Sequence, residues 1–375
     1  MEQSKRCLVH VVASNRWGGA ERYALDICRH FLSKGWRVEA YTRDAKAVDG
    51  LFAEAGVALR HAPLQGLADI RTLRQLVSDM VSMPEGTMIH THRYRDAMLC
   101  LVARRLSRRP DIGVVNTRHI VRRGRDSWLY RRMYRNLDAQ IFVSEAARER
   151  FVSTWRRRRL PFPQDRVHVI HNSIFVDLEP PVPEPQKGPV IAMFHGPLSS
   201  GKGLEVLIDA LPRLKGLRTR LRIVGTGHPD YVDALRQRAQ ARGVMEMIDW
   251  HRHVADPHPL IRGSHFGVLP SVVSEAFGLT NIEYMANGRP QICTGNGAQT
   301  EYLTNGTDSL IVPPGSATAL GDAMVRLATD SGLRRGMGEA AFSNFSRTLA
   351  WPAFAARMEE IYDLHRSSHS IRLKK

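Results

Sequence analysis

The sequence predicts an α/β protein that contains two doubly wound parallel sheets. Short runs rich in β-branched residues recur along the chain, and an amphipathic stretch of helical length follows most of them. Strands that alternate with helices of about 10 to 15 residues are typical of parallel sheets. A proline-rich segment interrupts this alternation once, and a length of 375 residues suits two cores better than one.

The first domain is predicted at 1–178. Its strand-like and helix-like segments are CLVHVVA, GGAERYALDICRHFLSKG, RVEAYTR, TMIHTH, GVVNTRHI, AQIFVSEAARERFVSTW and VHVIHNSI. Residues 179–189 follow, and five of these eleven residues are prolines. Because proline fits neither a helix interior nor a central strand, this segment is predicted to be a linker.

The second domain is predicted at 190–349, where the alternation starts again. Its predicted strands are VIAMF, LRIVGTG, HFGVLPS, RPQICTG and DSLIVPP. The amphipathic segment at 350–375 has no strand beside it in the sequence, so we expect it to pack back against the first domain. Open α/β sheets bind ligands at the carboxyl ends of their strands, and two facing sheets would place a site in the cleft between the domains.

The composition excludes several classes of protein. Hydrophobic residues at 43% and charged residues at 24% are ordinary globular values, which excludes a disordered, collagen-like or coiled-coil protein. No apolar run approaches the ~18 residues of a membrane-spanning helix, and the apolar stretch near the N-terminus is too short for a secretory signal. The four cysteines form no C-x-x-C pair. We therefore expect a cytoplasmic protein.

The positive charge is concentrated in the first half of the chain. The net charge is +17, and residues 1–177 contain 32 Lys and Arg against 18 Asp and Glu, a net +14. Such a field favours anionic partners, and nucleic acid is one interpretation that WRRRRL at 155–160 supports. No helix-turn-helix, zinc-finger or aromatic-basic RNA motif accompanies this charge. We therefore expect no nucleic-acid partner.

The pattern that best indicates chemistry is SVVSEAFGLTNIEYMANGRP. A helix is predicted to start near Thr280 and to end at Gly288, which places Glu275 in the preceding loop and Glu283 about one turn inside. Free N–H groups at a helix N-terminus bind phosphate, and Gly278 lets the main chain approach it closely. The carboxylate of Glu283 can accept hydrogen bonds from a ribose diol, and that of Glu275 can reach a sugar hydroxyl.

This string resembles the motif of family 4 glycosyltransferases, also called group 1 glycosyl transferases, which are retaining sugar-nucleotide enzymes of the GT-B fold. That family carries two Glu separated by seven residues with Phe-Gly after the first, as Glu275 and Glu283 are arranged here. The resemblance implies two facing Rossmann-like domains with a cleft between them. It implies that Glu275 contacts the donor sugar as a catalytic residue. The donor-binding residues that it implies here are Phe277, Gly278, Leu279, Thr280 and Glu283.

A glycine-rich turn in the second domain, HGPLSSGKG, also resembles the family and adds Gly196 and Lys202 to the donor site. A Lys after such a turn suits a diphosphate as a point charge. The family's Arg in this turn is Pro197 here. Arg262 or Arg289 would replace that cation only if the fold brings one of them near.

Two further glycine pairs match turns of the family. LRIVGTGH resembles the turn that skirts the nucleotide, which places Gly225 and Gly227 beside the donor. In the first domain, Gly18 and Gly19 open a helix directly after the first strand. They resemble the family loop that approaches the donor phosphate or the acceptor, and a simple tight turn is the alternative.

VNTRHI is predicted to place Arg118 and His119 at the carboxyl end of a strand, on the acceptor side. The family often keeps a His there that reaches the reacting sugar, which implies a catalytic role for His119. The H-x-H pair of His90 and His92 raises the possibility of a metal site, but no carboxylate stands at ligand spacing and the chain contains no Asp-x-Asp. We expect neither a metal nor a cofactor.

The resemblance therefore implies a retaining, metal-independent hexosyltransferase. It would move a sugar from a nucleoside diphosphate sugar to the hydroxyl of a glycan or lipid-linked acceptor, in the synthesis of lipopolysaccharide or a glycolipid. A sugar-nucleotide epimerase of the same architecture is the alternative, and it would form product without an acceptor. The donor sugar, the nucleobase and the oligomeric state are not specified.

The arginine-rich stretch 104–135 adds a membrane hypothesis, since it contains eleven arginines and two acidic residues. In WLYRRMYR the apolar and cationic residues can segregate to opposite sides of a helix, as in interfacial segments. We expect the first domain to bind the anionic inner face of the cytoplasmic membrane. The alternative is a solvated basic surface with Trp128 in the core.

Overall fold

The computed structural model describes residues 6–155, 160–176, 180–254 and 256–373. Packing divides them into two compact units. The first consists of the described residues up to Phe175 together with those from Trp351 onward, and the second runs from Val176 to Ala350. The arginines of WRRRRL at 156–159, and Glu179 of the proline-rich segment, lie outside the described residues.

The first unit contains a seven-stranded sheet in which every strand pair is parallel. In chain order its strands are β1 (Cys7–Val11), β2 (Arg37–Thr42), β3 (Ala58–His61), β4 (Met88–Thr91), β5 (Gly113–Arg118), β6 (Ala139–Phe142) and β7 (Val167–Val169). Across the sheet the order is β3-β2-β1-β4-β5-β6-β7. The predicted doubly wound parallel sheet is therefore confirmed.

Helices cover both faces of this sheet. They are α1 (Gly19–Ser33), α2 (Lys46–Glu54), α3 (Ile70–Ser82), α4 (Tyr94–Leu106), α5 (Trp128–Asn136) and α6 (Glu145–Val152). Successive residues of β1 enter different cores, since Val9 and Val11 pack on one face and Leu8 on the other. That alternation explains why the strands are apolar without interruption: both faces are buried.

The long C-terminal helix, α13 (Trp351–Leu373), belongs to the first unit. Its residues Trp351, Phe354, Met358 and Tyr362 are buried in the same core cluster as α1. A hydrogen bond of 2.8 Å between His30 and Glu359 adds a polar contact at the edge of this packing. Burial of four large side chains is what holds α13 in place.

The second unit contains a six-stranded sheet, also parallel throughout. Its strands are β8 (Val190–His195), β9 (Thr219–Val224), β10 (Ile248–His251), β11 (Phe266–Leu269), β12 (Gln291–Thr294) and β13 (Leu310–Val312). Its helices are α7 (Leu204–Ala210), α8 (Pro229–Ala241), α9 (His258–Arg262), α10 (Leu279–Ala286), α11 (Ala317–Thr329) and α12 (Ser331–Thr348). The strand order is β10-β9-β8-β11-β12-β13, a second doubly wound sheet.

The segment predicted as a linker packs onto the second unit, which corrects that expectation. The Arg289 guanidinium donates to the main-chain oxygens of Val182 and Pro183, and the Arg334 guanidinium pairs with Glu184 at 2.8 Å. His265 lies 3.1 Å from the main-chain oxygen of Pro185. Residues 180–188 form neither helix nor strand, as expected, but two buried arginines fix them to the sheet domain.

Two strands were not predicted, and both are edge strands. β3 is an edge strand of the first sheet and pairs with β2, and β10 is an edge strand of the second sheet and pairs with β9. Their residues are half-buried or exposed apart from Ile248. Among the described residues, no helix combines the length and the apolar character that a membrane crossing needs.

Substituting Phe354→Ala is expected to lower the free energy of unfolding by about 3 to 5 kcal/mol, because it removes a buried ring from the contact of α13 with the first unit. The measurement is denaturant unfolding followed by circular dichroism. Leu364→Ala is the matched control on the same helix, since Leu364 is 57% exposed and its loss should change stability by no more than about 0.5 kcal/mol. Equal effects of the two substitutions would contradict the packing of α13 described above.

Candidate functional site

Each sheet reverses its strand order at one place. In the first unit the reversal lies between β1 and β4, and in the second between β8 and β11. At such a point the connections leave the sheet in opposite directions, so a crevice opens at the carboxyl ends of the two strands. The residues predicted to carry chemistry lie in the loops that follow β1, β4 and β5 in the first unit and β8, β9 and β11 in the second.

In the second unit, α10 begins at Leu279, one residue before the predicted start at Thr280. Its N-terminal cap is Gly278, whose φ of +91° lies in the left-handed region that favours glycine. Glu275 precedes the helix in the loop after β11, and Glu283 lies in the second turn. The structure therefore places Glu275 before the start of α10 and Glu283 inside the helix, as predicted.

Glu275 forms an ion pair with Lys202. Lys202 ends a short 3-10 helix, Ser200–Lys202, and its Nζ donates to Oε1 of Glu275 at 2.6 Å. The Ser271 hydroxyl donates to the same oxygen. Lys202, which was predicted to bind a diphosphate, is thus paired with Glu275, which was predicted to contact a sugar. Both side chains remain partly exposed.

Close main-chain packing fixes the loop that carries Glu275. A Cβ on Gly297 would lie 2.4 Å from the main-chain oxygen of Glu275, and the N–H of Ala298 donates to that oxygen at 3.1 Å. On the other side, the N–H of Val272 donates to the oxygen of Gly201 at 3.0 Å. The turn after β8 and the loops after β11 and β12 therefore hold one another in position.

Glu283 is buried, and its carboxylate is hydrogen-bonded to His195, the last residue of β8. Nε2 of His195 lies 2.6 Å from Oε2 of Glu283, and Nδ1 lies 2.9 Å from the hydroxyl of Tyr284. The Tyr284 hydroxyl also donates to the main-chain oxygen of Met193 at 2.7 Å. His195 was not singled out from the sequence. Its position at the end of a predicted parallel strand, directly before Gly196, could have indicated a site residue, because ligands bind at the carboxyl ends of such strands.

The glycines of the two turns in the second unit have a packing role. A Cβ on Gly225 would lie 2.0 Å from the main-chain oxygen of Gly196, and one on Gly227 would lie 2.3 Å from that of Leu198. Gly196 itself has a φ of +139° and open space around it. Contact between neighbouring turns accounts for Gly225 and Gly227, so a nucleotide contact for them stays a prediction.

Phe277 is a core residue. Its ring stacks on Tyr302 with centroids 4.7 Å apart, and its main-chain oxygen accepts from the Tyr302 hydroxyl at 2.7 Å. Its side chain is therefore not exposed to a ligand. Any contact with a donor would come from the main chain of 277–279, beside the free N–H groups of α10 and the half-buried Thr280.

Arg289 does not replace the family cation that Pro197 lacks. Its guanidinium is buried and donates to main-chain oxygens of the proline-rich segment and of Arg262. Burial also lowers its pKa below the usual range. Arg262 stands exposed at the C-terminal end of α9. The structure thus excludes one of the two candidates, because the Arg289 guanidinium is buried against the proline-rich segment.

In the first unit, a cavity of about 390 Å³ lies at the reversal between β1 and β4. It is lined by Val12, Ala13, Ser14, Ala20, Glu21, His92, Arg93, Tyr94, Asn116, Thr117, Arg118, His119 and Ile120. Burial raises the pKa of Glu21 above its usual value. The predicted residue His119 lies in this lining next to His92, with 3.1 Å between their ring nitrogens.

Gly18 and Gly19 lie at the start of α1, beside this cavity. Gly18 is the N-terminal cap with extended backbone, and α1 begins at Gly19. Arg118 is 7% exposed and donates to the main-chain oxygen of Arg122 at 2.8 Å, with its guanidinium 5.0 Å from the ring centroid of Tyr94. Arg118 therefore shapes the cavity wall by holding the following loop.

Both ring nitrogens of His90, the first histidine of the H-x-H pair, have hydroxyl partners. His90 is buried, with Nδ1 2.7 Å from the Tyr362 hydroxyl and Nε2 2.7 Å from the Thr117 hydroxyl. In the part of the chain that the structure describes, one group brings three possible metal ligands within reach of one another, namely Asp44, Asp49 and His61, away from both histidines of the pair.

Two family models match the chain, and together they cover most of both units. Residues 17–178 match the model described as Glycosyltransferase Family 4, and residues 189–330 match Glycosyl transferases group 1. The chain belongs to glycosyltransferase family 4. This confirms the resemblance drawn from the motif around Glu275 and Glu283, and it makes the protein a glycosyltransferase.

Known relatives and solved structures agree with this assignment. A phosphatidyl-myo-inositol mannosyltransferase from Mycobacterium leprae (strain TN) is 29% identical over 239 residues, which is 62% of this chain and 60% of that protein. A D-inositol 3-phosphate glycosyltransferase from Corynebacterium glutamicum (strain R) is 26% identical over 390 aligned positions, 92% of this chain and 91% of that protein. The structure of Anabaena HepE with UDP-glucose superposes with a TM-score of 0.80 at 18% identity, over 94% of this chain and 98% of that one.

The fold is thus GT-B, two parallel-sheet α/β domains, as predicted. In this family 4 glycosyltransferase the group 1 model covers the start of α10, Lys202 and both motif carboxylates, while the other model covers the cavity residues from Ala20 to Ile120, including His119. The roles of these residues remain predictions.

Gly203→Ala is expected to destabilise the second unit of this glycosyltransferase strongly. Gly203 follows Lys202 with a φ of +70°, and a Cβ there would lie 2.0 Å from the main-chain oxygen of Pro270. Gly216→Ala is the matched control, since Gly216 has a φ of +86° and open space around it. The control should cost only the left-handed strain of about 1 to 2 kcal/mol. Thermal unfolding measures both, and a Gly203 variant no less stable than the control would show that the contact with Pro270 is not tight.

Proposed function

We propose that this family 4 glycosyltransferase transfers a sugar, with retention of anomeric configuration and without a metal ion, from a nucleoside diphosphate sugar to an acceptor hydroxyl. The observation that carries the proposal is the arrangement around α10. One helix start brings together free N–H groups, the Lys202–Glu275 pair and the Glu283 carboxylate. Family membership and the UDP-glucose complex of HepE support a nucleotide sugar as the donor.

Each part of a nucleoside diphosphate sugar has a matching group in this arrangement. The diphosphate would accept hydrogen bonds from the N–H groups of α10 at Leu279 and Thr280, where the helix dipole is positive, and a further one from Lys202. The ribose diol would donate to the Glu283 carboxylate, which His195 holds in place. The sugar would lie beside Glu275.

Retention follows when the new bond forms on the face from which the leaving group departs. The bond between the anomeric carbon and the phosphate oxygen breaks, the bond from the same carbon to the acceptor oxygen forms, and the acceptor proton moves to the departing diphosphate. The negative charge that develops on the diphosphate would be stabilised by the α10 N-terminus and Lys202 in place of a metal ion. No second carboxylate at glycosidase spacing is needed.

The cavity of the first unit would hold the acceptor. A hydroxyl group both donates and accepts hydrogen bonds, and the ring of His119, which lines this cavity, would supply a neutral partner for it. Arg93 adds a cation at the same cavity, which suits an acceptor that carries a phosphate near the hydroxyl. Both curated relatives above are named for inositol acceptors, one of them a phospholipid.

The decisive experiment offers UDP, GDP and ADP sugars to the purified protein with and without lipid and glycan acceptors. Binding is measured as thermal stabilisation, and product is analysed by NMR for its anomeric configuration. A product with the configuration of the donor, formed in the presence of a chelator and only when acceptor is added, supports the proposal. An epimerised sugar nucleotide without acceptor would establish the epimerase alternative, and inverted product would refute retention.

Glu283→Ala is expected to weaken nucleoside diphosphate binding by roughly 10- to 100-fold, since a charged hydrogen bond contributes about 1.5 to 3 kcal/mol. Glu275→Gln is expected to bind the nucleotide nearly as well and to lower turnover instead, because its contact is with the sugar. Calorimetry with UDP, GDP and ADP separates the two effects from initial rates of transfer.

The matched control is Glu246→Ala. Glu246 is exposed and precedes β10, so it lies at the opposite edge of the sheet from the site. It should leave both binding and turnover unchanged. Full activity in the Glu275 and Glu283 variants, with melting curves like that of the unsubstituted protein, would show that the donor site lies elsewhere.

The acceptor is proposed to be presented by an anionic membrane, and the exposed face of α5 supports this. Trp128 is 73% exposed, so it does not lie in the core as the alternative of a solvated basic surface assumed. Trp128, Arg132 and Arg135 follow helical spacing and lie on one face, with Leu129 39% exposed beside them. The opposite, apolar face of α5 is not available to lipid, since Tyr130, Met133 and Tyr134 fill the protein core.

An aromatic side chain beside arginines suits the headgroup region, where each basic residue contributes roughly 1 kcal/mol. The protein is therefore expected to co-sediment with anionic vesicles at low salt and to be released at high salt. Trp128→Ser should reduce this binding, whereas Ile70→Ser, at a position 61% exposed in the same unit but outside the α5 face, should not. Equal binding to neutral vesicles, or none to either, would favour a soluble acceptor.

A further inference from the structure

Three histidines form a continuous row at the cavity of the first unit. His10 lies on β1, His92 directly after β4 and His119 directly after β5, three strands that are neighbours in the sheet. Nδ1 of His10 lies 3.1 Å from Nε2 of His92, and Nδ1 of His92 lies 3.1 Å from Nε2 of His119. Both nitrogens of the central ring are therefore engaged with another histidine.

Packing holds the rings of this histidine row in a fixed orientation. The rings of His10 and His92 are stacked with centroids 5.3 Å apart, and the edge of Tyr23 packs against His92 and His119 with centroid distances of 5.9 and 4.8 Å. His10 is fully buried. His90 lies beside the row but pairs with Tyr362 and Thr117 instead.

The three rings are neutral. Burial lowers the pKa of His10 and of His119 to about 3 and that of His92 well below its usual value. A neutral imidazole carries one ring proton, so each ring donates from one nitrogen and accepts at the other. The two contacts then allow two arrangements, with every proton on Nδ1 or every proton on Nε2, because a mixed arrangement breaks at least one of the two hydrogen bonds.

The surroundings of His10 and His119, at the two ends of the row, decide between the arrangement with all protons on Nδ1 and the one with all protons on Nε2. Nε2 of His10 is buried and has no hydrogen-bond partner among the described residues. At the other end, no described residue bonds Nδ1 of His119, whose ring lines the cavity. With all protons on Nε2, the buried Nε2–H of His10 would have no acceptor. A buried N–H group without a partner is rarer in proteins than a buried acceptor without one. With all protons on Nδ1, the free N–H group points to the cavity end.

We propose that His92 and His10 are positioning residues that hold His119 in its Nδ1–H tautomer, so that His119 donates a hydrogen bond to a ligand oxygen in the cavity. The proposal rests on the proposed function for the identity of that ligand, an oxygen of the transferred sugar or of the acceptor. The role is hydrogen-bond donation, and no proton is transferred along the row. The row makes the cavity-facing nitrogen a donor before any ligand arrives, which avoids the cost of selecting a tautomer during binding.

The direct test is the tautomer of the three rings in the unsubstituted protein. Long-range proton–nitrogen correlation spectra of histidine-labelled protein distinguish protonated from unprotonated ring nitrogens, and single His→Gln variants assign the signals. Protonated Nδ1 and unprotonated Nε2 in His10, His92 and His119 support the proposal. An Nε2–H tautomer at His119, or different tautomers within the row, would overturn it without any substitution that affects folding.

Variants test whether the row matters for turnover. His92→Phe removes both hydrogen bonds and is expected to lower kcat at least tenfold, with unchanged thermal stabilisation by UDP, GDP or ADP. His92→Gln keeps one donor and one acceptor and should recover part of that loss. His90→Gln is the control, since it removes a neighbouring buried histidine outside the row and should leave the His119 tautomer unchanged.

The outcomes separate this proposal from the proposed function. Normal kcat in His92→Phe, with transfer activity established for the unsubstituted protein, would refute the positioning role and leave the glycosyltransferase assignment intact. Absence of any nucleotide-sugar binding would refute the donor proposal, while the tautomer spectra would still report on the row.

Discussion

The constraint on which the molecule depends is that all strands of each sheet run parallel. Parallel strands need crossover helices, and covering both faces of a sheet requires the order to reverse once, here between β1 and β4 and between β8 and β11. At each reversal the loops diverge and leave main-chain groups and strand-end side chains without helical cover. His92 and His119 lie at one of these places, and Glu275 and Glu283 lie at the other.

Polar groups at a buried strand end are tolerated because they bond one another. His195 bonds the buried Glu283 carboxylate, Tyr284 bonds the other ring nitrogen of His195, and Lys202 and Ser271 bond Glu275. An unpaired charge in these positions would cost several kcal/mol, so the partners are part of the site rather than additions to it. The same pairing fixes side-chain direction before a ligand binds, and close contacts at Gly203 and Gly297 fix the main chain beneath.

The sequence predicted correctly those features that depend on residues close to one another in the chain. The eight-residue spacing of Glu275 and Glu283 and the glycine before the helix placed the start of α10 to within one residue and its end to within two, because capping and helical periodicity act over a few positions. β3 and β10 escaped prediction because their short sequences, ALRH and IDWH, lack an apolar run, and only Ile248 among them is buried. The contact of His195 with Glu283 joins residues 88 positions apart, and that of Arg289 with Val182 joins residues 107 apart. No local pattern encodes such pairs, so His195 was overlooked and Arg289 was wrongly considered for the diphosphate.

The two candidate sites differ in whether their polar side chains are charged, and this difference follows from how deeply the side chains are buried. Around α10 the pairs are ionic and partly open, as Lys202 and Glu275 retain some exposure, so the cost of holding a charge there is moderate. In the first unit His10 is fully buried while His92 and His119 are half-buried, and burial lowers the pKa of all three, which favours their neutral form. A site of the first kind can rearrange its charges around an anionic diphosphate. The histidines of the second site offer no charge, so they select a ligand by the direction of their hydrogen bonds, which an uncharged hydroxyl group can satisfy.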